Sequence, residues 1–284
     1  MSSSQPPEAA GAVTSLWRYP VKSMSGEQLD EAVVTDGGFV GDRAYALIDQ
    51  SSGKVASAKL PKKWGSLLHL GATFVEPPRT GAPVPPVRII WPDGAQAISD
   101  CEADPMLSER LGRRVRLTAA RPATVSVDRL DPLSAEETIV DIGALMMEGR
   151  FADYAAIHIV TTASLARLEE LCPEAQFNER RFRPNMVVNV GGDRRGFIEN
   201  DWVGRYLAIG NEVRLRISDR TPRCSVPTLA QKELAGDTRV LRTIVAHNRL
   251  AVALLGGEML PCIGVYAFVV RGGVVRKDQA VRVE

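Results

Sequence analysis

Apolar and polar positions alternate in many short runs along the chain, which predicts a structure built mostly of strands. The first such run, VTSLWRYPVKSMSG, is typical of a strand that enters a loop at Pro20. RAYALID alternates as a half-buried strand does, and VRIIWPDGAQAISD predicts a hairpin that turns at Pro92-Asp93-Gly94. The last run, IGVYAFVVRGGVVRKDQAVRV, predicts a further hairpin that turns at Gly272-Gly273.

Three stretches have the spacing and the end signals of short helices. DPMLSERLG starts with an acidic residue and stops at Gly112, whereas TTASLARLEELCP starts with capping hydroxyls and ends before Pro173. The third stretch is RVLRTIVAHN, and residues 121–141 look irregular. A few short helices among many short strands predict a β-rich α+β fold that is barrel-like.

Composition and charge place this chain among ordinary soluble proteins. It has 284 residues, of which 45% are hydrophobic and 24% charged, and its net charge is +1. This balance argues against a nucleic-acid or membrane partner. No apolar run reaches the roughly 18 residues of a spanning helix, and the start, MSSSQPPEAAGA, lacks the features of a signal peptide. We therefore expect a disordered tail at residues 1–12 and a cytoplasmic protein.

The four cysteines lie far apart and form no C-x-x-C pair, which disfavours a zinc knuckle or an iron–sulfur cluster. We expect Cys101, Cys172 and Cys262 to be reduced and buried as small hydrophobic residues. Cys224 differs, because Pro222 and Pro227 stiffen its loop in DRTPRCSVPT. Arg220 and Arg223 favour the thiolate form, which serves as a nucleophile, a redox sensor or a soft-metal ligand. The spacing leaves these three roles open.

Other segments place cationic and amide side chains in loops next to predicted strands. They are Lys22 and Ser23 in YPVKSM, Arg43 in GDRAY, Arg181, Arg183 and Asn185 in RFRPN, and Arg223 in TPRC. Such groups suit a dense anion, because arginine binds phosphate through two parallel hydrogen bonds. The helix start from Thr161 to Ser164 adds hydroxyl and backbone N–H donors.

Each of these groups also has a purely structural interpretation. In this interpretation Lys22 is a solvated loop lysine, Arg43 forms a surface ion pair with Asp42, and the stem of Arg183 packs on the barrel. Residues Thr161 to Ser164 then do no more than cap a helix. His158, inside an apolar strand, fits a core histidine.

Taken in order, the segments resemble the molybdenum-cofactor sulfurase C-terminal (MOSC) domain family with its N-terminal β-barrel partner. The resemblance is carried by LWRYPVKSMSG, GFVGDRAYALID, IHIVTTASLARL, RFRPNMVVNV, ENDWVG, PRC, VLRTI and GVYAFVV, and it runs from about Val13 to Glu284. It implies an N-terminal domain at residues 13–120 and a MOSC domain at 121–284. Within the family, the chain is most similar to the mitochondrial amidoxime reducing component and its bacterial relatives.

The resemblance implies a bound molybdenum cofactor (Mo-molybdopterin), with Cys224 as the thiolate ligand of the metal. Lys22, Ser23 and Arg43 match phosphate- and pterin-binding positions, and Thr161, Ser164, Arg183 and Asn185 match cofactor contacts of the MOSC half. Arg223, beside the thiol, joins this set. The run after the cysteine, SVPTLAQKELAGD, departs from the two threonines and the Asp-Pro turn that are usual in amidoxime reductases.

The implied function is reduction of N-oxygenated compounds such as hydroxylamines and amidoximes, with electrons from a separate donor protein. Two alternatives stay open on the sequence. One is sulfur transfer through a persulfide on Cys224. The other is a non-catalytic protein that binds the molybdenum cofactor or another pterin.

Overall fold

The computed structural model describes residues 8–99, 102–130, 138–192 and 194–284. Cys101, expected to be buried, lies outside the described residues. These residues form nineteen strands: β1 Glu8–Arg18, β2 Glu27–Leu29, β3 Glu31–Thr35, β4 Gly38–Phe39, β5 Ala46–Asp49, β6 Gly71–Phe74, β7 Val87–Ile90, β8 Gln96–Ile98, β9 Val115–Thr118, β10 Asp128–Leu130, β11 Ile139–Asp141, β12 Ile157–Thr161, β13 Met186–Asn189, β14 Tyr206–Ile209, β15 Val213–Pro222, β16 Arg249–Val252, β17 Glu258–Arg271, β18 Gly273–Arg276 and β19 Ala280–Val283.

Four α-helices accompany the strands in the described part of the chain: α1 Pro61–Trp64, α2 Ala103–Leu111, α3 Thr162–Leu171 and α4 Arg239–His247. The three helices predicted from the sequence are thus confirmed. The oxygen of Thr161 accepts a hydrogen bond from the Ser164 backbone N–H at the start of α3, and Gly112 ends α2 in the left-handed conformation.

The main sheet closes into a seven-stranded barrel, which confirms the β-rich α+β expectation. Its strands run in the order β12, β13, β1, β19, β14, β15 and β17, and β17 pairs again with β12. Only β12 and β13 run parallel within this ring. Inward-facing residues such as Val13, Ile159, Leu215 and Val265 fill the barrel and are fully buried.

The start of the chain belongs to this barrel. Strand β1 begins at Glu8, so residues 8–12 pair with other strands and do not form a tail; residues 1–7 lie outside the description. Strand β3 pairs with β18 near the end of the chain. The division at residue 120 stays a prediction, but the first strands are structurally part of the sheet that the second half builds.

A second apolar core lies beside the barrel and contains residues from β5 to β9 together with α1 and α2. Met24, Trp64, Ile89 and Leu107 are among its buried members. The PDG hairpin is confirmed here as β7 and β8. Strand β5, expected to be half-buried, is buried at all four positions, because Leu47 faces this core while Ala46 and Ile48 face another cluster around Phe151.

The predicted terminal hairpin at Gly272-Gly273 is wrong. Strand β17 pairs with β15, whereas β18 leaves it and pairs with β3. A Cβ atom on Gly272 would come within 2.4 Å of the Val34 carbonyl oxygen. Glycine at this position therefore serves the close approach of two backbones rather than a tight turn. No helix in the described ranges combines the length and apolar character that a membrane crossing requires.

Candidate functional site

A cavity of about 530 Å³ opens where the loops after β1, β5 and β15 meet the RFRPN segment. It is lined by Lys22, Ser23, Arg43, Arg183, Asn185, Arg223 and Cys224, seven of the nine residues expected to contact the metal or the cofactor. Its size falls within the roughly 300–1,000 Å³ of small-molecule sites. The cations predicted to bind an anion are therefore gathered in one place with the unusual cysteine.

Three of these residues have strained backbone. Ser23, Arg43 and Arg183 have φ angles of 66°, 48° and 56°, in the left-handed region that residues with a Cβ rarely adopt. The cost is of order 1–3 kcal/mol each, and such strain concentrates at binding sites. The Arg43 N–H donates to Tyr19 O at 2.7 Å, and the Arg183 N–H donates to Arg180 O at 3.2 Å, so local hydrogen bonds hold two of the three conformations.

Arg43 and Arg183 are held against the same aromatic ring. Their guanidinium carbons lie 4.4 and 4.3 Å from the ring centroid of Tyr19. This cation–π contact offsets part of the repulsion between the two charges. Burial, followed by the nearby Arg43 charge, lowers the pKa of Arg183 to about 10, so the side chain still carries its charge at pH 7.

Asp42 is the counterion of Arg43, but the pair is buried and is not the surface ion pair considered from the sequence. The Arg43 Nη1 atom lies 2.6 Å from Asp42 Oδ2, and the Asp42 side chain is 1% exposed. Asp42 also accepts hydrogen bonds from the Tyr19 backbone and from Arg150. Together with Asn185 Oδ1 and the Arg183 carbonyl oxygen, which also accept from the guanidinium, the carboxylate fixes Arg43 at the cavity wall.

Lys22 is also buried rather than solvated. Its ammonium group donates to the Phe151 carbonyl oxygen at 3.2 Å and forms an ion pair with Asp153. Burial lowers the pKa of Lys22, and the Asp153 charge opposes this shift. The neighbouring Ser23 hydroxyl oxygen accepts a hydrogen bond from Ala58 N at 3.0 Å, and such a hydroxyl can still donate its own hydrogen.

Asn185 and His158 form the base of the cavity and are almost fully buried. Asn185 Oδ1 accepts from the His158 backbone N–H and from Arg43 Nη1, and its Nδ2 donates to Trp17 O. Burial, followed by the Arg223 charge, lowers the pKa of His158 to about 3. His158 is therefore a neutral core histidine, as its apolar strand suggested, although its ring also borders the cavity.

Cys224 is half-buried at the edge of a small apolar cluster that includes Leu68 and Val226. Lys59 and Arg223 lie within electrostatic range of its sulfur. Arg223 donates to Phe182 O at 3.0 Å, and its Nε atom is buried without a hydrogen-bond partner among the described residues. The thiol thus sits between hydrocarbon and positive charge. Cys262 is buried as expected, and Cys172 is half-buried.

Sequence reasoning missed Lys59 and Asp153. The Asp153 carboxylate bridges Lys22 and Lys59, with 2.7 Å between Asp153 Oδ2 and Lys59 Nζ. Burial alone would raise the pKa of Asp153, but the two lysines hold it well below its usual range. Lys59 lies in SAKLPKKWG, where several lysines look like a solvated surface. Asp153 is a single acid before β12, and no local sequence feature distinguishes it from a surface residue.

Thr161 and Ser164, expected to contact the cofactor, are not brought to the cavity with the other seven residues. Both hydroxyls donate to Glu199 Oε2 at 2.6 Å, and neither residue lines the cavity. All three side chains are almost fully buried, and burial raises the pKa of Glu199. This arrangement favours the helix-cap interpretation, because the hydroxyl groups bond the start of α3 and a buried carboxyl group.

Comparison with known proteins gives two family matches. The MOSC domain matches residues 147–282, and the MOSC N-terminal beta barrel domain matches residues 10–63. The chain belongs to the MOSC family. MOSC domains are associated with binding of the molybdenum cofactor. The two matched segments include Lys22, Arg43 and Lys59 on one side and Arg183 and Cys224 on the other, so both contribute to the cavity.

Several solved structures are similar to this MOSC protein, at low sequence identity. The YuaD protein from Bacillus subtilis is 12% identical with a TM-score of 0.45, over 98% of this chain and 94% of that one. YiiM from Geobacillus stearothermophilus is 16% identical with a TM-score of 0.31, over 57% of this chain and 74% of that one. No curated protein matches the chain.

The residues that line the cavity fit a molybdenum cofactor. Among the described residues, six cationic side chains and only two carboxylates face it, which suits a phosphate-bearing ligand. Thr221 Oγ1 and the Nε atoms of Arg129 and Arg223 lack hydrogen-bond partners within the described residues. No group of three or more histidine, cysteine or acidic side chains in the described ranges could hold a metal, whereas Cys224 offers one soft ligand to a metal held mainly by its cofactor.

Proposed function

We propose that the protein binds the molybdenum cofactor in this cavity and reduces N-oxygenated compounds with electrons from a separate donor protein. Cys224 would ligate the metal through its thiolate, and the cationic side chains would hold the phosphate and the pterin. The MOSC family membership and the donor set of the cavity support this assignment.

The observation that carries the proposal is the convergence of a half-exposed thiol with an excess of buried cations. Lys22, Arg43 and Arg183 come from loops far apart in the sequence, and two of them adopt a strained backbone to reach the cavity. Clustered buried cations and strained backbone are costly and are concentrated at ligand sites, so they favour a ligand of opposite charge here. A phosphate-tailed cofactor is such a ligand.

In the proposed complex, different residues contact different parts of the cofactor. Arg43 and Arg183, held by Tyr19 and Asp42, offer a rigid pair of guanidinium groups to phosphate oxygens. Lys22 and Ser23 offer an ammonium and a hydroxyl donor beside them. His158 stays neutral and adds no further charge.

The reaction is a two-electron reduction that breaks one N–O bond. A hydroxylamine R–NH–OH takes up two electrons and two protons and yields the amine R–NH2 and water. The cofactor, when bound, supplies a metal centre that changes its oxidation state by two electrons. The protein residues orient the substrate, and the separate donor protein provides the electrons.

The proposal is tested by quantifying molybdenum and pterin in the purified protein, in Cys224→Ser and in the control Cys172→Ser. Cys172 is half-buried and bonded to Glu174 away from the cavity. We expect about one molybdenum per chain in the wild type and in the control, and loss of the metal in Cys224→Ser. Equal metal content in the two variants would overturn the assignment of the ligand.

Turnover separates the proposed reductase from the two alternatives. With an artificial reductant, the loaded protein should convert N-hydroxylated compounds to amines. A persulfide on Cys224 without molybdenum, seen as added sulfur mass, would instead indicate sulfur transfer. Bound pterin without turnover would indicate a carrier protein.

A further inference from the structure

The cavity lining includes a cationic part and an aliphatic part, and the charged residues Arg129 and Glu258 line the cavity beside the aliphatic part. The cationic part contains Lys22, Arg43 and Arg183. Six aliphatic side chains form the other part, which we call the aliphatic wall: Val140, Ile142, Leu145, Leu254, Leu255 and Leu260. The phosphate-binding role assigned to the cationic part leaves the aliphatic wall without a function.

The aliphatic wall runs from the interior of the protein to its surface. Ile142 and Leu260 are buried, at 6% and 4% exposure, while Leu145 is 36% exposed. Val140, Leu254 and Leu255 are half-buried between these extremes. The aliphatic wall therefore borders the mouth of the cavity, where a molecule that arrives after the cofactor would lie.

The backbone that carries Leu254 is fixed by a buried carboxylate. Asp219 Oδ1 accepts a hydrogen bond from Leu254 N at 3.2 Å, and Asp219 also bonds the hydroxyl of Tyr154, another residue of the cavity. Strands β16 and β17 pair on either side of the Leu254–Leu255 turn. The leucines are thus held in place before any ligand arrives, which lowers the entropy cost of binding.

Asp219 is the first residue of the DRTPRCSVPT segment that contains Cys224. Its hydrogen bonds to Leu254 and Tyr154 give it a structural role at the edge of the site. The residue is 8% exposed and does not line the cavity.

We propose that the aliphatic wall binds the body of the substrate, so the protein selects N-hydroxylated compounds with an aromatic or branched aliphatic body over small polar ones. This inference rests on the proposed function. A benzyl group has more apolar surface to bury than a methyl group. Each CH₂ group that is fully buried contributes ~0.8 kcal/mol to the free energy of binding. Even partial burial of the benzyl group therefore predicts that the benzyl compound binds at least ~10-fold more tightly than the methyl compound.

The test compares N-benzylhydroxylamine with N-methylhydroxylamine, which share the reacting group and differ in the body. Calorimetry on the cofactor-loaded protein without reductant measures binding in the absence of turnover. We expect the benzyl compound to bind at least ~10-fold more tightly. Equal affinity for the two compounds would overturn the proposal.

Variants assign the preference to the aliphatic wall. Leu254→Ser should weaken binding of the benzyl compound about 5- to 10-fold and leave the methyl compound unchanged. Met259→Ser is the matched control, because Met259 lies on the same hairpin, is 51% exposed and does not line the cavity. Equal effects of the two variants would contradict the proposal. Leu145→Ser, on the other segment of the wall and already 36% exposed, provides a second test if Leu254→Ser folds poorly.

Turnover measurements distinguish failure of this inference from failure of the proposed function. Tight, Leu254-dependent binding of the benzyl compound without turnover would support the aliphatic wall and overturn the reductase assignment. Turnover of both compounds with equal kcat/KM would support the reductase and overturn the inference.

Discussion

The Lys59 ammonium lies 2.7 Å from Asp153 Oδ2, although 94 positions separate the two residues in the chain. The same carboxylate binds Lys22, so one acid balances two lysines at the edge of the cavity. Burial alone would lower the pKa of Lys59, but Asp153 and then Cys224 raise it. Asp153, in the matched MOSC domain, therefore binds two cations that come from the matched N-terminal domain.

Replacement of Asp153 by asparagine should lower the free energy of unfolding by about 1–3 kcal/mol, because it leaves the buried Lys22 ammonium without its counterion. Urea denaturation measures this change. The control is Asp93→Asn, whose carboxylate pairs with Arg110 at the surface and is 57% exposed. That variant should cost less than ~1 kcal/mol. Similar losses in the two variants would argue against the bridging role.

Arg181 fixes the segment that follows Cys224. Its fully buried guanidinium donates to four backbone carbonyl oxygens, those of Gln176, Pro227, Leu229 and Ala235. Arg181→Met should therefore lower the free energy of unfolding by more than ~3 kcal/mol, since several buried acceptors lose their donor. It should also speed alkylation of Cys224 by iodoacetamide, because the loop loses its anchor.

The control for this prediction is the preceding residue. Arg180 forms an ion pair with Glu233, whose side chain is 61% exposed, so Arg180→Met should cost less than ~1 kcal/mol and leave the alkylation rate unchanged. If Arg181→Met left the rate of Cys224 alkylation unchanged, the anchoring role would be wrong.

His158 predicts a pH dependence of stability. Its folded pKa of about 3 is far below the ~6.5 of an unfolded histidine. Between these values the unfolded chain binds one proton more than the folded protein, so the free energy of unfolding falls as the pH falls from about 6.5 towards 3. His158→Gln should remove up to ~1.4 kcal/mol per pH unit of this slope. Equal slopes in urea denaturation of the two proteins across this window would contradict the burial of a neutral ring.

Thr161 and Arg183 were assigned the same role from the sequence, and the structure separates them. Thr161→Ala removes the cap of α3 and a partner of Glu199, so it should cost about 1–2 kcal/mol of stability and leave cofactor retention unchanged. Arg183→Ala should lower molybdenum and pterin content more than it lowers the melting temperature. Unchanged cofactor content in Arg183→Ala would contradict its phosphate-binding role.

Local patterns predicted the elements well, because helix caps, hairpin turns and alternation act within a few residues. The start of α3 at Thr161, the end of α2 at Gly112 and the PDG hairpin follow from such signals. The pairing of β18 with β3 could not be predicted this way. It depends on the approach of the backbone at Gly272 to Val34, which is more than 200 positions away.

The candidate site was predicted where unusual residues sat in rigid loops. Arg43, Arg183 and Cys224 stood out beside glycine or proline, and all three line the cavity. Lys59 and Asp153 did not stand out, since a lysine among lysines and a single acid look like ordinary surface residues. Their importance arises only from their pairing with Lys22 across the folded chain.

The pairing of β1 with β19 places Glu8 opposite Val283. During synthesis the ring can therefore close only after β19 has left the ribosome, and one edge of β1 stays unpaired until then. Such long-range closure slows folding and exposes the early strand to other chains. Shortening β19 would leave an edge of β1 unpaired, so it should lower solubility before it affects the cavity, to which β19 contributes no residue.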